Sequence, residues 1–481
     1  MRKYFGKILA LLLIAIVYTS CETKDMYQGY WVDELNDITK AYIYPYKNEG
    51  QNIVAEITIE TNGNVDLSKV KAEIPHLKYN KELLIMLTQD DCKHAAFCHT
   101  WATIHNRPLS AKYYYDYVHL KANDLPSDVH SYNETLGSTD GAGNEVRFSF
   151  TTTVAAEWNG MNDISVIALQ PLENYDRFSM KTYLNWRSLI EMLNYDVGIA
   201  FHDVKTEAVQ NVDSVRKHYG VAQDIMLNKL AGRGCKTLAE PEGNKTYIRA
   251  AEGYTPIQAI TAQAETEEIY PFTVERDLHK VLQHREFMSV YEAKAEVESQ
   301  LSLAAENRRA IHIGVHETDL GWDDFLFDLN EKYGKGGRDV VWVPSFEEYY
   351  EYNYNRVNGK VEKTVSGNKL TIKVTIPGGQ YFYFPSSTIN LLGLNMADVK
   401  SITSSNSVTG LSYADFTSST TEGSNLMVNI DCRSSLASHA EHYVKEYEEN
   451  KSNDLLKADA LYFIGRLKDS DQKSSLLNRV K

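Results

Sequence analysis

Apolar and polar positions change their rhythm along the chain, and each change marks an element type. Asn52 to Glu60 (NIVAEITIE) alternates apolar with polar, the period of a half-buried strand. Residues 21–80 therefore read as a tether and a small β-rich unit. From about residue 81 the grammar becomes strand-then-helix. Leu83 to Leu87, Val197 to Phe201, Cys235 to Ala239, Ile257 to Ile260, Ile311 to Val315 and Val340 to Val343 are short apolar runs, each closed by polar residues or a proline. Between them lie helical periods. Trp322, Phe325, Leu326 and Leu329 fall on one face of a helix predicted over Asp319–Tyr333, which Gly334 stops. Ser345-Phe346-Glu347-Glu348 has capping-box spacing and opens a tyrosine-rich helix. Runs buried on both faces and alternating with helices predict a parallel sheet, hence an α/β domain over residues 81–357.

Residues of about 106–180 interrupt that rhythm and read as a β-containing insertion. After Gly359 the alternation returns in Lys369 to Ile376 (KLTIKVTI), and Gln380 to Phe384 is aromatic. We expect a β-sandwich-like module over 358–432 and a helical tail over 433–481.

The first residues follow a different logic. Arg2, Lys3 and Lys7 precede the apolar run Ile8 to Val17, and Tyr18-Thr19-Ser20-Cys21 comes next. A run this short, with basic and small-residue flanks, predicts an export signal over residues 1–20 rather than a membrane span of about 20 apolar residues. Cys21 after Ser20 resembles the lipidation site of bacterial lipoproteins. Tyr18 stands where that pattern prefers leucine, so the alternative is an ordinary secreted protein. The resemblance implies membrane attachment through a lipid on Cys21 and a place in the cell envelope, at the outer membrane or cell surface. A formal charge of -15 excludes nucleic acid as the expected partner, because phosphates call for a basic surface. Cys92, Cys98, Cys235 and Cys432 allow three disulfide pairings, among which spacing does not choose.

Candidate chemistry collects where the apolar runs end. Asp90 and Asp91 follow the first, His202 and Asp203 the second, Glu240 and Glu242 the third, and His316 the fifth. In parallel α/β folds those ends share one rim, where sites form. Any one such carboxylate could be a helix cap, and any one histidine a satisfied polar residue. Their convergence carries the argument. His94, His99 and His105 do not stack on one helix face, so they are no ready metal triad.

The order Thr88-Gln89-Asp90-Asp91, then Gly198 to His202, then the loop Glu240 to Asn244 and a late strand ending in His316, resembles the polysaccharide deacetylases. Val341-Trp342-Val343 followed by Glu347-Glu348-Tyr349 is similar to that family's closing strand and helix. The resemblance implies a distorted (β/α) barrel with appended β-rich modules, acting on an acetylated polysaccharide or oligosaccharide. It makes Asp90 the general base, Asp91 and His202 ligands of a divalent, zinc-like cation, and His316 the general acid. Glu240, Glu242 and Asn244 become candidates for contact with substrate.

Two positions depart from the pattern. Thr206 stands where the family has a second ligating histidine, and Ala239-Glu240-Pro241 lacks the arginine that orients the base. Asp203, His94 and Glu240 are the nearest residues that could complete the metal shell, Asp203 first because it follows His202. Three functions stay open: a metal-dependent deacetylase of an envelope or extracellular glycan, a catalytically silent glycan-binding lipoprotein, and an envelope assembly or adhesion component.

Overall fold

A computed structural model describes residues 29–31, 33–47, 50–168, 178, 183–417 and 423–481. The expected export signal and Cys21 lie outside them. In the central region the apolar runs form short parallel strands whose side chains are buried on both faces, as in the fully buried strand Leu83–Gln89. That strand pairs in parallel with Ile311–Val315, Thr151–Thr153 and Val341–Trp342. Thr151–Thr153 continues the sheet to Gly198–Ala200, and Ile311–Val315 to Glu286–Phe287. A second parallel sheet runs Thr237–Ala239, Ala259–Ala262, Leu282–His284.

No sheet closes on itself among the described residues, so the fold shown is mixed α/β with parallel sheets. The two sheets meet nevertheless. A parallel bridge joins Phe201 to Leu238 on one side. On the other, Leu282–His284 and Glu286–Phe287 are separated by Arg285 alone.

Thr151–Thr153 lies inside the stretch that reads as an insertion, yet it is a strand of the parallel sheet. Three threonines carry no apolar run, and the strand exists because Leu83–Gln89 and Gly198–Ala200 flank it. The hairpin Gly137–Thr139 and Glu145–Arg147 supplies the β character expected there.

The alternating stretches at the two ends of the α/β region belong together. Ile53–Thr61 sits between Lys369–Ile376 and Val399–Ser404 in one four-stranded antiparallel sheet. Lys71–Glu73 is an edge of the other, beside Ser386–Leu392. Ala55, Ile57 and Ile59 face Leu370, Ile372, Val374, Ile389 and Val428 in a core of their own. The helix Phe346–Asn358 leads into this sandwich with Gly359 as its only connecting residue. The tail forms three helices, Leu436–Glu449, Asp454–Gly465 and Asp471–Val480, whose apolar faces join the core of the α/β region. No described helix is long and apolar enough to cross a membrane. Cys92, Cys98, Cys235 and Cys432 are all buried free thiols.

Candidate metal centre and active site

Parallel register decides which residues meet. Gln89 pairs with Val315, so Asp90 and His316 leave the sheet side by side. Thr153 pairs with Ala200, which brings the turn carrying His202 to the same edge. The turn after Asp90 is unusual. Asp91 and Cys92 both adopt left-handed backbone conformations, with φ of 60° and 50°. Such a conformation costs a non-glycine residue of order 1 kcal/mol and survives only when its surroundings impose it. Here the Asp90 amide donates to the Val315 carbonyl at 2.8 Å, and the Leu184 amide to the Cys92 carbonyl at 2.8 Å. The Cys92 amide donates to Thr153 Oγ1 at 2.9 Å.

The result is a cluster. One ligand atom from each of Asp91, His202 and Asp203 lies within 4.8 Å of the others. His202 Nδ1 donates to the Ala239 carbonyl at 2.9 Å, which leaves Nε2 as the nitrogen turned to the carboxylates. Nε2 is 3.5 Å from Asp91 Oδ1 and 3.8 Å from Asp90 Oδ2. The hydrogen bond with His202 holds Asp91 below the usual carboxylate value, with help from the charges of His202, His316 and Lys93. Burial pushes His202 down, but the Asp90 charge and the Asp91 hydrogen bond outweigh it and raise the imidazole above its usual value. Asp203 is raised by burial and by the like charges of Asp91 and Glu242, against the opposing effects of His202 and a hydrogen bond from Tyr247. Two crowded carboxylates and an oriented imidazole are the donor chemistry that suits a zinc-like cation, so these residues fit one.

Asp90 is held differently. Arg285 Nη1 donates to Asp90 Oδ1 at 2.6 Å, and Nη2 donates to the Glu240 carbonyl at 2.7 Å. Both Asp90 and Arg285 are buried. An orienting arginine is thus present, supplied by the link between Leu282–His284 and Glu286–Phe287 rather than by the Glu240 loop. No apolar run announced it, because Val281-Leu282 is too short to read as a strand. Phe287 continues the arrangement, with its ring 5.3 Å from the Arg285 guanidinium and 4.8 Å from the imidazole of His316. Gly314 makes room for it, since a Cβ there would fall 2.7 Å from the Phe287 ring. His316 itself is exposed at the rim.

The other candidates make contacts of their own. Glu240 is buried, with Lys245 Nζ 2.9 Å from Oε1, and presents no carboxylate to solvent. Asn244 caps the helix Lys245–Glu252 by accepting from the Thr246 amide, while Glu242 is exposed with φ of 49°. Thr206 bonds Ser214 and the Ala208 amide. His94 is buried and donates from Nε2 to the Tyr115 carbonyl at 2.9 Å. His99 pairs with buried Asp323 at 2.7 Å, and His105 is buried beside Arg147. His312 lies behind the rim, with Nε2 2.7 Å from Thr88 Oγ1, and burial drives its imidazole well below the usual value.

No curated protein matches the chain. A family model described as "Putative polysaccharide deacetylase" matches residues 55–481, which takes in the sandwich and the tail as well as the parallel sheets. With the paired aspartates, His202 and an orienting arginine gathered on one rim, and with that match over most of its length, the chain belongs to the polysaccharide deacetylase family.

Proposed function

We propose that this protein is a metal-dependent hydrolase that removes acetyl groups from an envelope or extracellular polysaccharide, on a distorted (β/α) barrel. The barrel reading is supported by the Phe201–Leu238 bridge and by the unbroken run of Leu282 to Phe287 from one sheet to the other. The activity rests above all on the division of labour between neighbouring aspartates. Asp91 belongs to the Asp–His–Asp cluster, whereas Asp90 is bound to Arg285.

Asp91, His202 and Asp203 would hold the cation. When bound it polarises the acetyl carbonyl and lowers the pKa of water. Asp90 would accept the proton of the attacking water, and Arg285 holds its carboxylate in place at 2.6 Å. His316, exposed at the rim and backed by Phe287, can protonate the departing amine or alkoxide. His202 stays in the tautomer that the Ala239 carbonyl selects.

The test is direct. Purified protein should carry one divalent ion per chain and release acetate from at least one member of a panel of N- and O-acetylated polysaccharides. A chain with neither ion nor acetate release would point to a silent glycan binder.

A further inference from the structure

An exposed tryptophan stands in the loop that leaves Thr151–Thr153, and its sequence neighbour and its ring partner are each linked to one of the two turns that supply the metal cluster. Trp158 is 39% exposed and lies in the loop that leaves the strand Thr151–Thr153 at the same edge as Asp90. A lone exposed indole is ordinary on a protein surface. This one is singled out by what holds it. On one side Glu157 Oε2 meets His218 Nδ1 at 2.6 Å, and Glu157 Oε1 accepts from the Lys205 amide at 3.2 Å, two residues past Asp203. On the other side the indole lies against Tyr183, with centroids 5.9 Å apart and planes inclined by 30°. The residue after Tyr183 is Leu184, whose amide donates to the Cys92 carbonyl, one residue past Asp91.

The turn beneath is built to admit that second ring. A Cβ on Gly160 would fall 2.6 Å from Tyr183 Cδ2. The Trp158 carbonyl accepts from the amide of buried Met161 at 3.2 Å, so the loop is anchored in the core. The indole is thereby fixed while a share of its surface stays open. Aromatic surface held rigid gives up little conformational entropy on binding and offers an apolar plane to the C–H face of a sugar ring.

We propose that Trp158, backed by Tyr183, is a stacking platform for a sugar residue next to the one whose acetyl group reaches the metal centre. The site then takes acetylated chains of at least two sugars in preference to single sugars. The inference builds on the deacetylase reading, so its test is separated from turnover.

Affinities are measured by titration calorimetry with two probes, the β-1,4-linked N-acetylglucosamine hexamer and O-acetylated xylohexaose, each beside its acetylated monosaccharide. Wild type should bind at least one chain more tightly than the matching monosaccharide. Trp158→Ala should weaken that chain roughly tenfold, equivalent to about 1.4 kcal/mol, and leave the monosaccharide unchanged. Trp158→Phe should keep most of the affinity, which a merely structural role for the indole would not require. Equal chain affinity in wild type and Trp158→Ala overturns the platform, and so does a wild type that favours neither chain over its monosaccharide. Acetate release from the monosaccharides, followed in the same proteins, judges the deacetylase reading separately. A chain that binds through Trp158 but loses no acetate would leave the platform standing and remove the hydrolase.

Discussion

At the scale of single residues, the sharpest distinction is between two neighbours in sequence. Asp91→Ala takes one carboxylate from the cluster with His202 and Asp203, so metal analysis and acetate release should fall together. Asp90→Asn should retain the ion and lower turnover by about 10²- to 10⁴-fold, the usual loss for a general base. A variant at Asp91 that keeps both ion and turnover would refute the assignment. Arg285 offers a third outcome. Arg285→Lys retains a charge near Asp90 but loses the two-armed contact with the Asp90 carboxylate and the Glu240 carbonyl. We expect the ion to remain, KM to change little, and kcat to fall. A variant with wild-type kcat would show that Arg285 only packs. Asp203 stands beside His202 with a ligand atom in the cluster, and the arginine comes from elsewhere in the chain.

At the scale of elements, the tail helix Asp454–Gly465 is docked by charge as well as by apolar surface. Asp459 Oδ1 accepts from Arg147 at 2.7 Å and its Oδ2 accepts from Arg107, all three groups being buried. Burial alone would raise the Asp459 carboxyl, but the Arg107 and Arg147 charges outweigh it and hold it below the usual range. The same burial, reinforced by these arginines, drives His105 well below its usual value, so it stays neutral. Asp459→Asn removes the carboxylate that pairs with buried Arg107 and leaves Arg147 with Glu145 alone, and should destabilise the protein by about 3–5 kcal/mol at neutral pH. A depressed carboxyl contributes stability above its unfolded value of about 3.9 and loses it as pH falls through the folded value. The gap between wild type and Asp459→Asn, read from urea unfolding, should therefore narrow in acid. A gap that is flat with pH would show that the carboxylate charge is not what the arginines need.

At the scale of the whole molecule, the α/β region is framed by a sandwich that its own N-terminal flank completes. Ile53–Thr61 is an inner strand between Lys369–Ile376 and Val399–Ser404, so the sandwich cannot form from residues 358–432 alone. The family match begins at residue 55, close to the start of that strand. The sandwich and the parallel sheets thus share the chain on both sides of the site, and Gly359 leaves no free linker between them. Attachment to a membrane is a separate matter, decided by Cys21 in our reading. Cys21→Ala should move the protein from the membrane to the soluble fraction, since no described helix could hold it there. A variant that stays with the membrane would require another anchor.

Much of this was legible from local pattern. Alternation in Asn52 to Glu60 and in Lys369 to Ile376 became strands with one buried face. The helix after Asp319 begins with that residue as its cap and ends at Gly334. Asp90, Asp91, His202, Asp203 and His316 could be named because each lies within a few residues of the end of an apolar run, and position relative to a strand is a local property. What local pattern does not carry is the partner. Thr151–Thr153 is a strand through its neighbours, since its own side chains are not apolar. Ile53–Thr61 and Lys369–Ile376 lie more than three hundred residues apart, and their pairing is settled by burial of a shared core. Arg285 became the companion of Asp90 because closing the gap between two parallel sheets sets a buried guanidinium beside a buried carboxylate, and each is the other's compensation for leaving water. The sequence by itself therefore determined which residues stand at strand ends. Only the tertiary structure decided which of them meet, because contact across a sheet depends on strand order and register, and these minimise exposed apolar surface and unpaired buried charge over the whole chain.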